Sequence, residues 1–153
     1  MKICFDANVV IDIIGRPRSF PYSTFAYDVA NVRRFEVVIA SSTTPTVDYI
    51  LSKNGFSGRY PCSPIDAMLE LFDVIDVAEV DCRSASNNDM ADYEDALIAE
   101  AALRNGVELI VTRDNRHFKD APIKALSPED FVRIFKPDNY DYEVFDLDKE
   151  GAR

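Results

Sequence analysis

Apolar residues fall along this chain in short runs whose spacing switches between that of strands and that of helices. KICF (Lys2 to Phe5) is a strand-length apolar run, and VVIDIIG after it has helical potential up to Gly15. RPRSFPYS, with two prolines, reads as a loop into a helix over Ser23 to Arg34, and EVVIA (Glu36 to Ala40) reads as a second strand. Ser41 to Thr44 offer caps for a helix carrying Val47, Ile50 and Leu51, with Pro45 tolerated in its first turn. KNGFSGRYP (Lys53 to Pro61) is a loop, Ser63 caps a helix around Ile65 to Phe72, and VIDV reads as a short strand. A long helix from Tyr93 to Asn105 stops at Gly106, ELIVT forms a strand, and SPEDFVRIF opens a helix with a Ser cap and Pro at its first position. Strands alternating with helices predict an α/β fold with a parallel sheet covered on both faces.

A chain of 153 residues, 47% of them apolar, has the size of one domain with a substantial core. The tail from Pro137 to Arg153 mixes six acids with Tyr140, Tyr142, Val144, Phe145 and Leu147, and reads as a tether or docking segment outside a domain of residues 1–136. Asp6 interrupts the apolar N-terminal segment, and no apolar stretch is long enough to span a bilayer, so a cytoplasmic protein with no membrane contact is expected. Cys4, Cys62 and Cys82 are too scattered for a disulfide framework or a zinc site and read as small core residues. The absence of a glycine-rich phosphate loop argues against dinucleotide binding. A net charge of −10 disfavours general adhesion to nucleic acid. The tail holds −4 of it, and local basic sites remain at Arg16/Arg18, Arg33/Arg34 and Arg113/Arg116/Lys119, so a phosphate-bearing substrate stays open. His117 is the only histidine and reads as part of a polar loop, which leaves carboxylates as the reactive groups.

Those carboxylates fall where ligands collect in open α/β sheets, at the carboxyl ends of strands and the starts of helices. Asp6 follows the first strand directly, Asp114 follows ELIVT, Asp92 and Asp95 open the long helix, and Asp48 lies on the helix after EVVIA. Each has a structural reading as well: Asp92 and Asp95 as helix caps, Asp48 as a solvated face, Asn8 as the start of a helix. Asp6 between Phe5 and an apolar segment is harder to read as mere surface. Carboxylates converging on one point repel one another, and a divalent cation resolves that repulsion.

The same residues carry a family resemblance. FDANVVIDII resembles the opening D-x-N motif of the PIN-domain ribonucleases, which include the toxins of bacterial toxin–antitoxin pairs; YEDALIAEAA resembles their D-A-L-I-A helix, and IVTRDNRHF their T-x-D closing strand. The resemblance covers roughly Met1 to Phe135. It implies a three-layer α/β/α fold with a mostly parallel sheet of four to five strands, and hydrolysis of RNA with Mg²⁺ or Mn²⁺. By the resemblance Asp6, Asp95 and Asp114 bind the metal, Asp92 is an extra acid one turn before Asp95, and Asn8 and Thr112 support them by hydrogen bonds. Arg113 and Arg116 are the candidates to hold flanking phosphates, and an antitoxin and a second copy of the chain are the implied partners. One motif departs: Asp48 stands where the family usually carries Glu, one methylene longer, so it acts through water or is not a ligand. Two rivals follow from the same residues. A haloacid-dehalogenase-like phosphohydrolase would use Asp6 as nucleophile, but Asn8 replaces the second Asp its chemistry needs; a non-catalytic module that keeps the PIN fold is favoured by Asp48.

Overall fold

Four consecutive parallel pairings build one sheet, and the alternation of side chains along its strands decides which layer each helix joins. The structure is a computed structural model that describes residues 1–15, 19–56 and 63–140. In chain order the elements are β1 (Lys2–Phe5), α1 (Ala7–Gly15), α2 (Pro21–Val32), β2 (Glu36–Ala40), α3 (Thr43–Lys53), α4 (Pro64–Leu71) and β3 (Asp73–Ile75), followed by α5 (Glu79–Asn87), α6 (Tyr93–Arg104), β4 (Leu109–Val111), β5 (Ala125–Leu126) and α7 (Pro128–Phe135). The strand order is β3-β2-β1-β4-β5, all parallel, with Cys4 opposite both Val38 and Ile110.

Ile3, Phe5, Val37, Ile39, Leu109 and Val111 point to one face, where Val9, Val10, Val29, Val47, Met68 and Phe131 from α1, α2, α3, α4 and α7 complete the larger core. Cys4, Val38, Ala40 and Ile110 point to the other, against Ala85 of α5 and Ala96, Ile98, Ala99 and Ala102 of α6. The expected three-layer α/β/α architecture is therefore present, and the small residues of α6 let its backbone lie close to the sheet. After β1 the chain builds one half of the sheet through β2 and β3, then returns to β1's other side with β4. In open α/β sheets such a reversal is where ligands collect, and here Asp6 and Thr112 follow the carboxyl ends of β1 and β4.

Local chemistry fixes most boundaries. Ser63 caps α4 with a reciprocal Asp66 bond, Ser127 Oγ accepts from the Asp130 N–H at the start of α7, and Gly106 after α6 takes φ +73°, which suits a residue without Cβ. The structure differs from the sequence reading in several places, among them a shorter β4 (Leu109–Val111) than ELIVT and an α2 that ends at Val32. α2 begins at Pro21 rather than Ser23, since proline is accommodated in the first turn. The third strand is Asp73–Ile75 rather than VIDV, because its register with β2 pairs Asp73 with Val38. α5 was not expected, and neither was β5, whose two residues extend the sheet beside β4.

Cys4 is buried and Cys82 half-buried, both as free thiols. Cys62, Arg16 and Arg18 lie outside the described residues, as do residues 141–153, on which the expectation of a docked acidic tail rests. No described helix is long and apolar enough to cross a membrane.

Candidate active site

Asp6 is placed by the β1–β4 ladder itself. Its N–H donates to the Val111 carbonyl at 3.0 Å, and its own carbonyl accepts from Val9 and Val10 as α1 begins. Only 4% of the residue is exposed, so its charge depends on local donors. The Ala7 N–H donates to Oδ1 at 2.7 Å, while Asn8 Nδ2 at 2.8 Å and the Thr112 hydroxyl at 2.7 Å both donate to Oδ2. Burial nevertheless raises the pKa of Asp6; the Thr112 and Ala7 bonds oppose the rise, and the charges of Glu94 and Asp114 add to it. Asn8 does two jobs, because its Oδ1 also accepts from the Arg113 N–H at 3.1 Å and so ties α1 to the loop after β4. Thr112, fully buried, accepts from the Asp114 N–H at 3.0 Å through the same Oγ1 that donates to Asp6.

Asp95 approaches Asp6 from the first turn of α6. Asp92 is the N-cap of that helix and accepts from the Asp95 N–H at 3.1 Å. The Asp95 carboxyl is pushed up to about 6, first by burial, then by the charges of Asp6 and Asp92, against the lowering contact with His117. His117 Nδ1 lies 3.0 Å from Asp95 Oδ2 and 3.5 Å from Asp114 Oδ2, and its backbone N–H closes a turn onto the Asp114 carbonyl. His117 is a polar-loop residue, as its sequence context suggests, and it also contacts two of the candidate acids. Its only sequence signal is the three-residue step from Asp114, which a turn converts into proximity.

Asp6 is felt by Asp95 and itself feels Asp114, and His117 touches both Asp95 and Asp114, with Asp92 capping the helix beside them. Glu94 joins from the same helix turn, held by the Thr46 hydroxyl at 2.8 Å, a role not anticipated in the sequence. Asp48, two residues after Thr46 on α3, is half-buried, and its side chain makes no hydrogen bond or ion pair with another described residue. Among the described residues no three His, Cys, Asp or Glu side chains close tightly enough to hold an ion as they stand. The donor set nonetheless has the chemistry of a hard divalent cation site: carboxylate oxygens, two of them on groups whose proton affinity is raised first by burial and further by neighbouring carboxylates.

The two arginines behave differently. Arg113 Nε lies 2.8 Å from Oδ2 of the wholly buried Asp12, which also accepts from the Ser23 hydroxyl at 2.8 Å, and its guanidinium sits 4.1 Å from the Phe20 ring centroid. Arg116 is exposed, and its side chain has no ion pair among the described residues.

This constellation invites comparison with known proteins, and residues 2–116 match the model of the PIN domain. The chain belongs to the PIN-domain family. It is 26% identical over 136 residues to Ribonuclease VapC1 of Aquifex aeolicus (strain VF5), covering 85% of this chain and 92% of that relative. Its fold is similar to the solved VapBC2 from Rickettsia felis bound to a DNA fragment from their promoter, with TM-score 0.64 and 18% identity over 83% of this chain and 98% of that one. PAE2754 from Pyrobaculum aerophilum is similar at TM-score 0.60 and 19% identity, over 88% of this chain and 89% of that one.

Proposed function

We propose that this PIN-domain protein is a metal-dependent endoribonuclease and the toxin of a toxin–antitoxin pair. The observation that carries the reading is the meeting of Asp6, Asp95 and Asp114 at the sheet's reversal point, in a chain whose curated relative is a ribonuclease. Asp6, Asp95 and Asp114 would hold Mg²⁺ or Mn²⁺, with Asp92 and Asp48 adding negative charge at the periphery. A divalent cation bound there supplies an acidified water and offsets charge on the scissile phosphate. Asn8 and Thr112 fix the direction of the Asp6 carboxylate, and His117 does the same for Asp95. Arg116 would meet a flanking phosphate, a reading supported by its exposure and by its lack of an ion pair among the described residues. The similar fold of a solved toxin–antitoxin complex from Klebsiella pneumoniae, at TM-score 0.54, supports an antitoxin partner, and a homodimer is part of the same reading.

A phospho-aspartate mechanism at Asp6 is disfavoured, because Asn8 stands where that chemistry needs a second Asp as acid and base, and its amide is committed to Asp6 and to the Arg113 backbone. The test is cleavage of single-stranded RNA in Mn²⁺. Asp95→Asn, which keeps shape and removes charge, should lower the rate by at least a hundredfold while the protein stays folded; undiminished cleavage would overturn the assignment. Asp48→Glu should preserve or raise activity if that position meets the metal, whereas Asp48→Ala should weaken Mn²⁺ binding in a calorimetric titration.

A further inference from the structure

A cavity of about 270 Å³ opens between the N-terminal ends of α2 and α7, with Phe20, Pro21, Tyr22, Arg113, Pro128 and Glu129 among its lining residues. It adjoins the acidic site through one residue. Arg113 lies between Thr112 and Asp114, its N–H held by Asn8, while its side chain turns to the cavity. The guanidinium is fixed from two sides, by the buried Asp12 carboxylate at 2.8 Å and by the Phe20 ring at 4.1 Å. A planar group pinned in this way offers a flat face and N–H donors that have no partner among the described residues.

Charge narrows what fits. Asp12 pairs with Arg113, Glu129 stands exposed on the rim, and the Asp130 N–H at the start of α7 is already served by the Ser127 hydroxyl. Among the described lining residues a phosphate finds no net positive charge. A neutral, planar, hydrogen-bonding ring finds aromatic and proline walls, a guanidinium to stack on, a donor in Arg113 and an acceptor in Glu129. The volume is just under the range of about 300–1,000 Å³ typical of small-molecule sites, enough for one ring system rather than a run of them.

We propose that this cavity receives a nucleobase of the RNA strand, beside the phosphate that the carboxylates engage, and so sets where the strand is cut. The proposal rests on the ribonuclease reading. Tyr22, 45% exposed at the mouth and edge-on to Phe25, forms the outer wall; Arg113 forms the stacking floor.

The experiment uses short single-stranded RNAs that the wild type cleaves in Mn²⁺, each carrying one stable abasic ribose at successive positions. Near the cut, one abasic position should lower kcat/KM of the wild type about five- to a hundredfold, the usual worth of a base stack. Tyr22→Ala and Arg113→Lys, the second keeping charge but losing the plane, should lower kcat/KM on intact RNA by comparable factors and lose little more on the abasic strand. If base removal costs the variants as much as the wild type, or costs the wild type nothing at any position, the cavity is not a base site. The latter outcome would fit a cavity that takes a partner protein's side chain instead. A folded wild type that cleaves no RNA sinks the ribonuclease reading and this proposal with it, whereas cleavage indifferent to bases sinks the cavity alone.

Discussion

Asp95 links the chemistry of the site to the stability of the fold. Its carboxyl is pushed up to about 6 in the folded protein, against 3.8 for an ordinary aspartate. Between those values the metal-free folded state binds the proton and the unfolded state does not, so this group's contribution to stability falls as pH rises from about 4 to 6 and is constant above. Solvent screening at a half-open site leaves about 1–2 kcal/mol of the effect. Urea denaturation in EDTA from pH 4 to 7 should therefore show wild type losing stability relative to Asp95→Asn across that window. His117→Ala removes the contact that opposes the rise, and should carry the upper end of the window to higher pH. A wild type that gains on Asp95→Asn as pH rises would show the carboxylate to be stabilised instead. At this scale Asp6, Asp95 and Asp114 were legible because acids at strand ends and helix starts break an apolar pattern. His117 was not, since its importance comes from a turn that brings it 3.0 Å from a residue on another element. Nor was Asp12, which looks in sequence like the polar side of a short helix and is wholly buried under Arg113.

Elements announced by caps were read closely, and those held only by distant contacts were missed. α6 and α7 have side-chain caps and flanking Gly106 or Pro128, all visible in the sequence. α5 has few apolar positions, and it stays in place because Asp81 caps it through the Ala78 N–H and is clasped by Arg104 of α6 at 2.8 Å. β5 is two residues long, too short to display any period, and exists because β4 leaves it an edge. The α6 cap also separates two roles that one residue combines. Asp92 accepts from the Asp95 N–H and, by its charge, raises the pKa of the Asp95 carboxyl. Asp92→Asn keeps an equally good cap without the charge, so thermal stability should hold within a few tenths of a kcal/mol while the Asp95 pKa drops. Asp92→Ala should cost about 0.5–2 kcal/mol. If Asn and Ala variants destabilise the protein alike, capping is not what Asp92 does for the helix.

Across the whole molecule the strand order and the overall charge act together on any RNA. Parallel pairing with a reversal at β1 and β4 gathers the acids at one end of the sheet, a convergence implied by the alternation of strands and helices before any contact is known. The net charge of −10 then opposes the approach of a phosphate backbone, and Pro137 to Arg153 hold −4 of it. Removing those residues leaves −6, so RNA meets a weaker repulsive field wherever the segment lies. Deletion should strengthen RNA binding several-fold at low salt, and the gain should shrink as ionic strength rises, since screening shortens such forces to about 10 Å at 0.1 M. Measuring affinity for one uncleaved strand with Asp95→Asn, full length and truncated, from about 20 to 300 mM salt separates this from a specific contact. A long-range effect converges with salt, whereas loss of a docked segment that physically covers the site would leave a salt-independent difference. Equal affinity at every salt concentration would mean that the acidic tail has no part in how RNA reaches the carboxylates.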